Sequence, residues 1–357
     1  MRVQLVDPAA YTPPYDHALA AALTRAGAEV ELITTRFAHG QVTREPGYAV
    51  RELFYPGAAA VSGSERSRRV IRAFEHLPGM LAQRRLARRA DVVHYQWLPV
   101  PWLDAALLAP VRPRLFTFHP RLPERRSRRG RALARLLRRM DAVVVHTEHG
   151  AERLAVIPHG ALDHLTRLPE EMPLPAELRD AEGPVILAFG LIRPYKGTEV
   201  LLEAFRRLQG AELWIVGRPM LPTESLHELA RGAPGRVRFL ERYVEDAEIP
   251  PLMRRADLVV LPYLEIEQSG VLYTALAFGR PLVLSDAGGF PELASHGAAR
   301  LVQVGDAEAL AQALSELLAD PAERERLARA AREAAMGPYS WDLIGRRTLA
   351  LYERLLG

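Results

Sequence analysis

Residues 185–205 read VILAFGLIRPYKGTEVLLEAF. The first five, Val185–Phe189, run apolar without interruption, as a strand buried on both faces does. Gly190 breaks the run, and from Glu199 to Leu208 apolar residues return at helical spacing. Strand, glycine turn and helix are the repeating unit of a parallel α/β sheet. Ligands of such sheets sit beyond the carboxyl ends of the strands, so this turn is the first place to look for chemistry. It holds Arg193 and Lys196, and Lys196 is the only lysine among the 47 basic side chains of the chain. An ammonium kept where arginine serves everywhere else points to a need for a compact point charge. With the N–H groups of a helix start beside it, the turn reads as an anion site.

The same unit recurs in both directions. Val3–Val6, Glu29–Thr34, Asp91–His94, Leu115–Phe118 and Val143–His146 read as strands before it. Leu213–Val216, Val237–Leu240, Leu258–Leu261, Leu282–Leu284 and Leu301–Val304 read as strands after it. Helical spacing over Tyr15–Ala26, Gly270–Phe278, Ala307–Leu318 and Trp341–Leu356 fills gaps between them. Asp91, Asp141 and Asp257 each open a strand. The expectation is an α/β protein of two doubly wound, Rossmann-like domains facing a central cleft, and 357 residues suit two cores. The proline-rich, aperiodic stretch 164–184 reads as the linker. It divides an acceptor-binding domain, 1–165, from a nucleotide-binding domain, 166–337, with 338–357 a last helix packing back on the first.

Apolar residues at 48% and charged residues at 25% are those of a globular, water-facing protein. The absence of cysteine excludes disulfides, thiolate catalysis and Cys-ligated metal. Charge is split along the chain. Residues 1–165 carry 25 arginines against 15 acids, a net of +10, and residues 166–357 carry 22 bases against 28 acids, a net of −6. The excess gathers in two runs, Arg66–Arg89 and Arg121–Arg139. Two readings stand: solvated helix faces, or a cationic surface for anionic lipid or a phosphorylated acceptor. The runs lack interleaved aromatics and any recognition motif, so nucleic acid is not an expected partner. The opening Met1–Asp7 reads as a strand rather than a signal peptide. Leu98–Val111, the most apolar stretch, is interrupted by prolines and Asp104 and is too short to span a bilayer. A cytoplasmic protein, peripheral at the inner face of the membrane, is expected.

Polar residues at strand ends carry the rest. His94, His119 and His146 each close a strand, and His159 follows Val156-Ile157-Pro158. A single histidine in such a place is more often a structural hydrogen-bonder, but a shared edge favours one of them facing a ligand. None has a partner at metal spacing. After Leu258–Leu261 comes PYLEIEQSGVL (262–272), and after Leu282–Leu284 comes SDAGGFPE (285–292). Three glycine turns at helix starts, with two cations, suggest a diphosphate-bearing ligand.

The combination of FGLIRPYKGTEVLLEAF, LWIVG, ADLVVLPY, QSGVLYTALAFGRPLVLSDAGGFPEL and VGDAEALAQALSELLADP resembles the retaining, GT-B-fold glycosyltransferases of family 4, the group 1 type. That family includes sucrose-phosphate synthase-like and phosphatidylinositol mannosyltransferase-like enzymes. TPPYDHALAAALTRAGAEVELIT, DVVHYQWLP, LFTFHPRLPE and VIPHG extend the resemblance through the first half. It implies that Arg193 and Lys196 hold the donor diphosphate beside Gly190, and that His119 approaches the donor sugar. It places Ser269, Gly270 and Val271 at the helix start that meets the phosphates, and Tyr243 and Val244 by the nucleobase. Tyr15, His94 and His159 are candidates on the acceptor side.

Two departures from the family pattern stand out. Leu191 follows the glycine where the family more often has arginine, and Arg193 lies two places on. The family also has two glutamates eight residues apart, the second on the nucleotide ribose. Here Ile266 and Thr274 occupy those places, with Glu265 or Glu267 able to replace the first after a one-residue slip beside Gln268. Glu265-Ile266-Glu267 also reads as an acid pair for a diphosphate-bound cation. Arg193 and Lys196 already supply that charge, so metal independence and no cofactor are expected. The implied activity moves a hexosyl group from a nucleoside diphosphate sugar to a hydroxyl of a sugar, lipid-linked or other small acceptor, with retention. A nucleotide-sugar epimerase and a non-catalytic sugar-nucleotide-binding partner of an active transferase are the alternatives.

Overall fold

The computed structural model describes residues 1–37, 42, 44–60, 65–119, 127–147, 154–266 and 269–357. They form two compact units. Met1–Gly160 with Trp341–Gly357 make the first, and Ala161–Ser340 the second.

The first unit is built on seven parallel strands: β1 (Arg2–Val6), β2 (Glu29–Thr35), β3 (Ala49–Phe54), β4 (Val92–Tyr95), β5 (Arg114–Thr117), β6 (Ala142–Val145) and β7 (Ala155–Val156). Their order is β3-β2-β1-β4-β5-β6-β7. The second unit has six: β8 (Val185–Phe189), β9 (Glu212–Val216), β10 (Val237–Leu240), β11 (Leu258–Leu261), β12 (Leu282–Ser285) and β13 (Ala299–Val302), in the order β10-β9-β8-β11-β12-β13. Strand order reverses between β1 and β4 in one sheet and between β8 and β11 in the other. Those switch points open a crevice outside the strand carboxyl ends.

Alternation explains why the strands read as continuous apolar runs. Val185, Leu187, Trp214, Val216, Val259 and Leu261 pack on one face of the second sheet, while Ile186, Leu213, Ile215, Leu258 and Val260 pack on the other. The first sheet is covered likewise, with Val3, Leu5 and Val92 on one side and Val6, Val93 and Tyr95 on the other. Helices on both faces leave no polar side to the strand.

The strand-opening aspartates have one physical role in both units. The Asp91 carboxylate accepts the Arg2 amide at 2.7 Å, Asp141 that of Arg114 at 2.7 Å, and Asp257 that of Val185 at 2.8 Å. Each satisfies the first N–H of a neighbouring strand, a donor the ladder leaves over.

The strands β3 and β7 carry no apolar run. Edge strand β3 is largely exposed and holds Arg51 and Glu52, and β7 is two residues long. The division of the chain falls at 160/161, five residues before the expected 165/166. The stretch 164–184 is not a free linker: Leu165 and Leu178 are buried in the core of the second unit. The helix Trp341–Leu356 belongs to the first unit and packs on the helix Pro13–Arg25. There Gly345 lies against the Ala22 carbonyl, where a Cβ would sit 2.6 Å from the oxygen.

Candidate functional site

In the second unit the turn after β8 folds over the start of the strand's own helix. Residues 194–196 make one 3₁₀ turn, and Gly197 takes a left-handed conformation, φ 65°, from which the helix Thr198–Phe205 begins. That geometry swings the Lys196 side chain back to the strand end. Its Nζ lies 3.4 Å from the Phe189 carbonyl and 5.1 Å from the centre of the Tyr263 ring. Gly190 is required here. Its φ is 94°, and a Cβ on it would stand 2.9 Å from both Lys196 Nζ and Val271 Cγ2. Gly190, Lys196 and Val271 are therefore brought together.

Tyr263 joins the three turns, and sequence reasoning missed it. Its ring is buried under the lysine, its hydroxyl is 3.2 Å from Ser269 Oγ, and its carbonyl accepts from Ser285 Oγ at 2.5 Å. The third turn closes on the second, because Gly288 sits where a Cβ would be 1.7 Å from the Ile266 carbonyl oxygen. Ser269 precedes the eight-residue helix Gly270–Ala277 without capping it, and a Cβ on Gly270 would meet open space. The Leu272 amide bonds the Ser269 carbonyl at 3.0 Å, and among the described residues the Gly270 and Val271 amides are left to meet an anion.

Burial pushes the Lys196 ammonium down to about 8, and the Arg193 guanidinium pushes the same way. Among the described residues neither cation has an ion-pair partner. Two like charges held together without a counter-acid are the electrostatic signature of an anion site. No group of three or more His, Asp or Glu side chains among the described residues is placed to hold a metal.

The other donor-side candidates divide. The Tyr243 ring stands 41% exposed just past β10, on a turn fixed by the Glu245–Glu248 capping box. Val244 is a core residue instead. Thr274 is 3% exposed and donates its hydroxyl to the Gly270 carbonyl of its own helix at 3.0 Å. A side chain this short bonds back on the helix rather than reaching outward, so Thr274 is not presented to a ligand. Glu267 and Gln268 lie outside the described residues.

In the first unit the strand-end histidines form one cluster around Tyr15. The Tyr15 ring meets His119 at 4.9 Å, His146 at 5.2 Å, His159 at 4.9 Å and Trp341 at 5.3 Å between centroids. Burial drives His146 down to about 4 and His94 and His159 to about 3, and it holds His119 well below the ordinary imidazole range. All four are neutral at pH 7. Their hydrogen bonds then assign the protons. His146 Nδ1 donates to the Ile157 carbonyl at 3.0 Å, which leaves its Nε2 to accept from His119 Nδ1 at 3.2 Å. The lone pair of His119 Nε2 therefore faces the Gln96 amide 3.3 Å away. Gln96 Nε2, buried and otherwise unbonded, answers it once the amide is turned about.

Of this cluster only His119 is more than marginally exposed. Tyr15 and His94 are enclosed, His94 between the Tyr352 hydroxyl at 2.6 Å and the Thr117 hydroxyl at 2.8 Å. They hold β4 and β5 to the flanking helices rather than face an acceptor. His159 is 9% exposed, with Nδ1 on the Gly160 carbonyl. Two aromatic residues that sequence reasoning passed over continue from His119 toward solvent. Trp97 stacks on His119 at 5.2 Å and 11°, with its indole N–H held by the Thr12 hydroxyl at 2.8 Å. Tyr11, 61% exposed, meets Trp97 edge-on at 5.0 Å. Asp7 fixes this loop by accepting the amides of Ala9 at 3.0 Å and Tyr11 at 2.8 Å. Their places after β1 and β4, at the sheet edge where His119 follows β5, are the signal that could have found them.

Residues 15–160 match the family model described as Glycosyltransferase Family 4, and residues 183–320 that described as Glycosyl transferases group 1. Over 224 residues the chain is 34% identical to a GDP-mannose:glycolipid 4-beta-D-mannosyltransferase of Xanthomonas campestris pv. campestris, covering 56% of this chain and 62% of that protein. It is 35% identical over 205 residues to a phosphatidyl-myo-inositol mannosyltransferase of Mycobacterium leprae, covering 55% and 52%. The matches thus span between half and two thirds of these curated relatives. Sucrose-phosphate synthase from Thermosynechococcus elongatus superposes with a TM-score of 0.74 at 22% identity over 99% of both chains. At that identity the likeness speaks for the fold, which is GT-B.

Proposed function

We propose, for a chain that belongs to the family 4, group 1 glycosyltransferases, that it moves a hexosyl group from a nucleoside diphosphate sugar to an acceptor hydroxyl. The observation that carries this reading is the pair Lys196 and Arg193 at the second switch point, two cations with no ion-pair partner among the described residues, beside a helix start that Ser269 does not cap. Breaking a sugar–phosphate bond puts negative charge on the departing diphosphate and positive charge on the sugar. Fixed cations and helix N–H groups aimed at the diphosphate stabilise that change without reorganising. Lys196 supplies the point charge, Arg193 the second cation, Ser269 to Val271 the amides, and Tyr243 a flat face for the base. On the first unit His119 offers a neutral imidazole to the sugar hydroxyls, and Trp97 with Tyr11 gives the acceptor ring an apolar wall. A sugar or lipid-linked sugar acceptor suits that wall.

Retention follows if the acceptor attacks from the leaving group's own face and the departing phosphate takes its proton. No metal is needed, since Arg193 and Lys196 carry the charge a cation would. The second reading is inversion. The Xanthomonas relative is named for a β-linked mannosyl product, and the mannose of GDP-mannose is α-linked.

The test begins with UDP-, GDP- and ADP-sugars in a thermal-shift screen, GDP-mannose first, because a tight donor raises the melting temperature. Transfer to glycolipid and free-sugar acceptors follows, with the product anomer read by NMR and the rate measured with and without chelator. Loss of activity in chelator with rescue by Mg²⁺ or Mn²⁺ overturns metal independence. Donor isomerised without acceptor identifies an epimerase, and donor bound without transfer to any acceptor identifies a non-catalytic partner.

The Lys196 titration gives a pH prediction. Below pH 8 the free protein holds the ammonium that the diphosphate needs; above it the amine must first regain a proton. The donor dissociation constant is expected to be flat below pH 7 and to rise about tenfold per pH unit above pH 8. Calorimetry across pH 6.5–9.5 checks this, and a flat profile removes Lys196 from the diphosphate.

A further inference from the structure

The 22-residue helix Glu65–Leu86 buries one face and leaves an apolar stripe on the other. His76, Met80, Gln83 and the following Ala87 are buried. Opposite them Val70 is 52% exposed, Phe74 79%, Leu77 44% and Leu81 42%. The spacing of four, three and four residues sets these side chains in one line along the helix. Arginines stand at both ends of the line, Arg66 and Arg69 before it and Arg84, Arg85 and Arg88 after it. The helix Pro101–Leu107 packs between this helix and Arg128–Leu137, and its Trp102 is 70% exposed. The third helix turns Arg128, Arg131, Arg135 and Arg138 outward while Leu133 and Leu136 are buried. The described acidic side chains of the three helices face inward. Glu75 accepts the Gly57 amide at 2.7 Å, and Asp104 holds His76 at 2.6 Å and the Val100 amide at 2.8 Å.

We infer that this face docks on an anionic lipid bilayer, with Val70, Phe74, Leu77 and Leu81 entering the acyl boundary and the arginines meeting lipid phosphates. Charge complementarity selects the occupant. A large apolar stripe with arginines at both ends fits a surface with a negative skin over an apolar layer. A nucleic acid would leave the stripe in water. The helix lies on the membrane: among the described residues no helix is long and apolar enough to cross one. The inference stands independently of the transferase reading.

Co-sedimentation with phosphatidylglycerol-containing vesicles against pure phosphatidylcholine vesicles tests it. The full chain is expected to partition to the anionic vesicles only, and less so as salt rises. Phe74→Ser/Leu77→Ser/Leu81→Ser, all exposed positions, should lose at least about tenfold in partition. Arg84→Gln/Arg85→Gln/Arg88→Gln should lose about fivefold per arginine. Because the chain has no cysteine, Phe74→Cys carries one environment-sensitive dye, which should brighten on anionic vesicles while the same dye at Ser315→Cys does not. Equal partition to neutral vesicles, no partition at all, or a serine variant that binds like wild type overturns the inference. So does a silent Phe74→Cys dye on bound protein, or a dimer that the serine variant splits, which would assign the stripe to a second copy.

Discussion

Lys196→Ala is expected to lower turnover at least about a hundredfold while leaving the second unit as stable as before, or more stable. The two halves of that expectation have different causes. In the transition state the ammonium would stabilise charge on the leaving diphosphate, where removal of one preorganised donor typically costs two to three powers of ten. In the folded protein without donor the same ammonium is a burden. Burial lowers it to about 8 from its ordinary 10.5, so at pH 7 the fold holds a charge that water would hold more easily. The sign is fixed by proton counting. Between pH 8 and 10.5 the unfolded chain binds the proton that the folded chain has lost, so wild-type stability rises with pH there, and the alanine variant loses that rise. Its hydrogen bond to the Phe189 carbonyl, at 3.4 Å, is too long to matter much. Lys196→Arg should recover only part of the rate, because Gly190 and Val271 wall in the amine and leave a planar fork no equivalent seat. Steady-state kinetics with thermal melts at pH 7 and pH 9 check all three. Wild-type turnover in Lys196→Arg would deny the lone lysine a special role.

Gly197→Ala should fail in the opposite manner, losing stability and activity together. At φ 65° any side chain is strained, a cost of about 1 kcal/mol. The added Cβ would also stand 2.0 Å from the Pro262 carbonyl oxygen, a backbone atom that no rotamer change can move. The turn after β8 must then lift off β11, breaking the Leu264 amide to Tyr195 carbonyl bond of 2.8 Å. Together these amount to about 3 kcal/mol, or roughly 6–12 °C in the melting of the second unit. Lys196, one residue away, moves with the turn, so turnover falls even where the variant remains folded. A variant with wild-type melting and rate would show that the turn adapts and does not set the position of the amine.

Much of this architecture was legible because a strand covered on both faces must be apolar throughout. Val185–Phe189 and Leu258–Leu261 read to the residue for that reason. Edge strand β3 was not legible, since exposure lets it carry Arg51 and Glu52 without penalty. The stretch 164–184 looked like a tether because prolines mark irregular backbone, yet irregular backbone can be firmly packed, as Leu165 and Leu178 are. Within the site, Gly190, Lys196 and Ser269 could be found from their places at strand ends. Tyr263 could not, because an aromatic residue after a strand is unremarkable until the lysine lies over its ring. His94 misled for a related reason: its partner Tyr352 is 258 residues away. A strand-end histidine facing a ligand and one locked in the core share the same local sequence. Thr274 shows the limit of alignment by motif, since the residue in the expected place has turned its hydroxyl onto its own helix.

A single lysine titrating near 8, in a chain without cysteine, makes this protein chemically almost mono-functional toward electrophiles. Near neutral pH an appreciable share of that amine is free base, whereas an ordinary lysine would be almost wholly protonated. An aldehyde such as pyridoxal phosphate, with borohydride to trap the imine, meets this one lysine and the α-amino group of Met1, and peptide mapping tells the two apart. The extent of labelling at Lys196 then reports whether an anion protects that turn, in a molecule that supplies its own reporter without a single substitution.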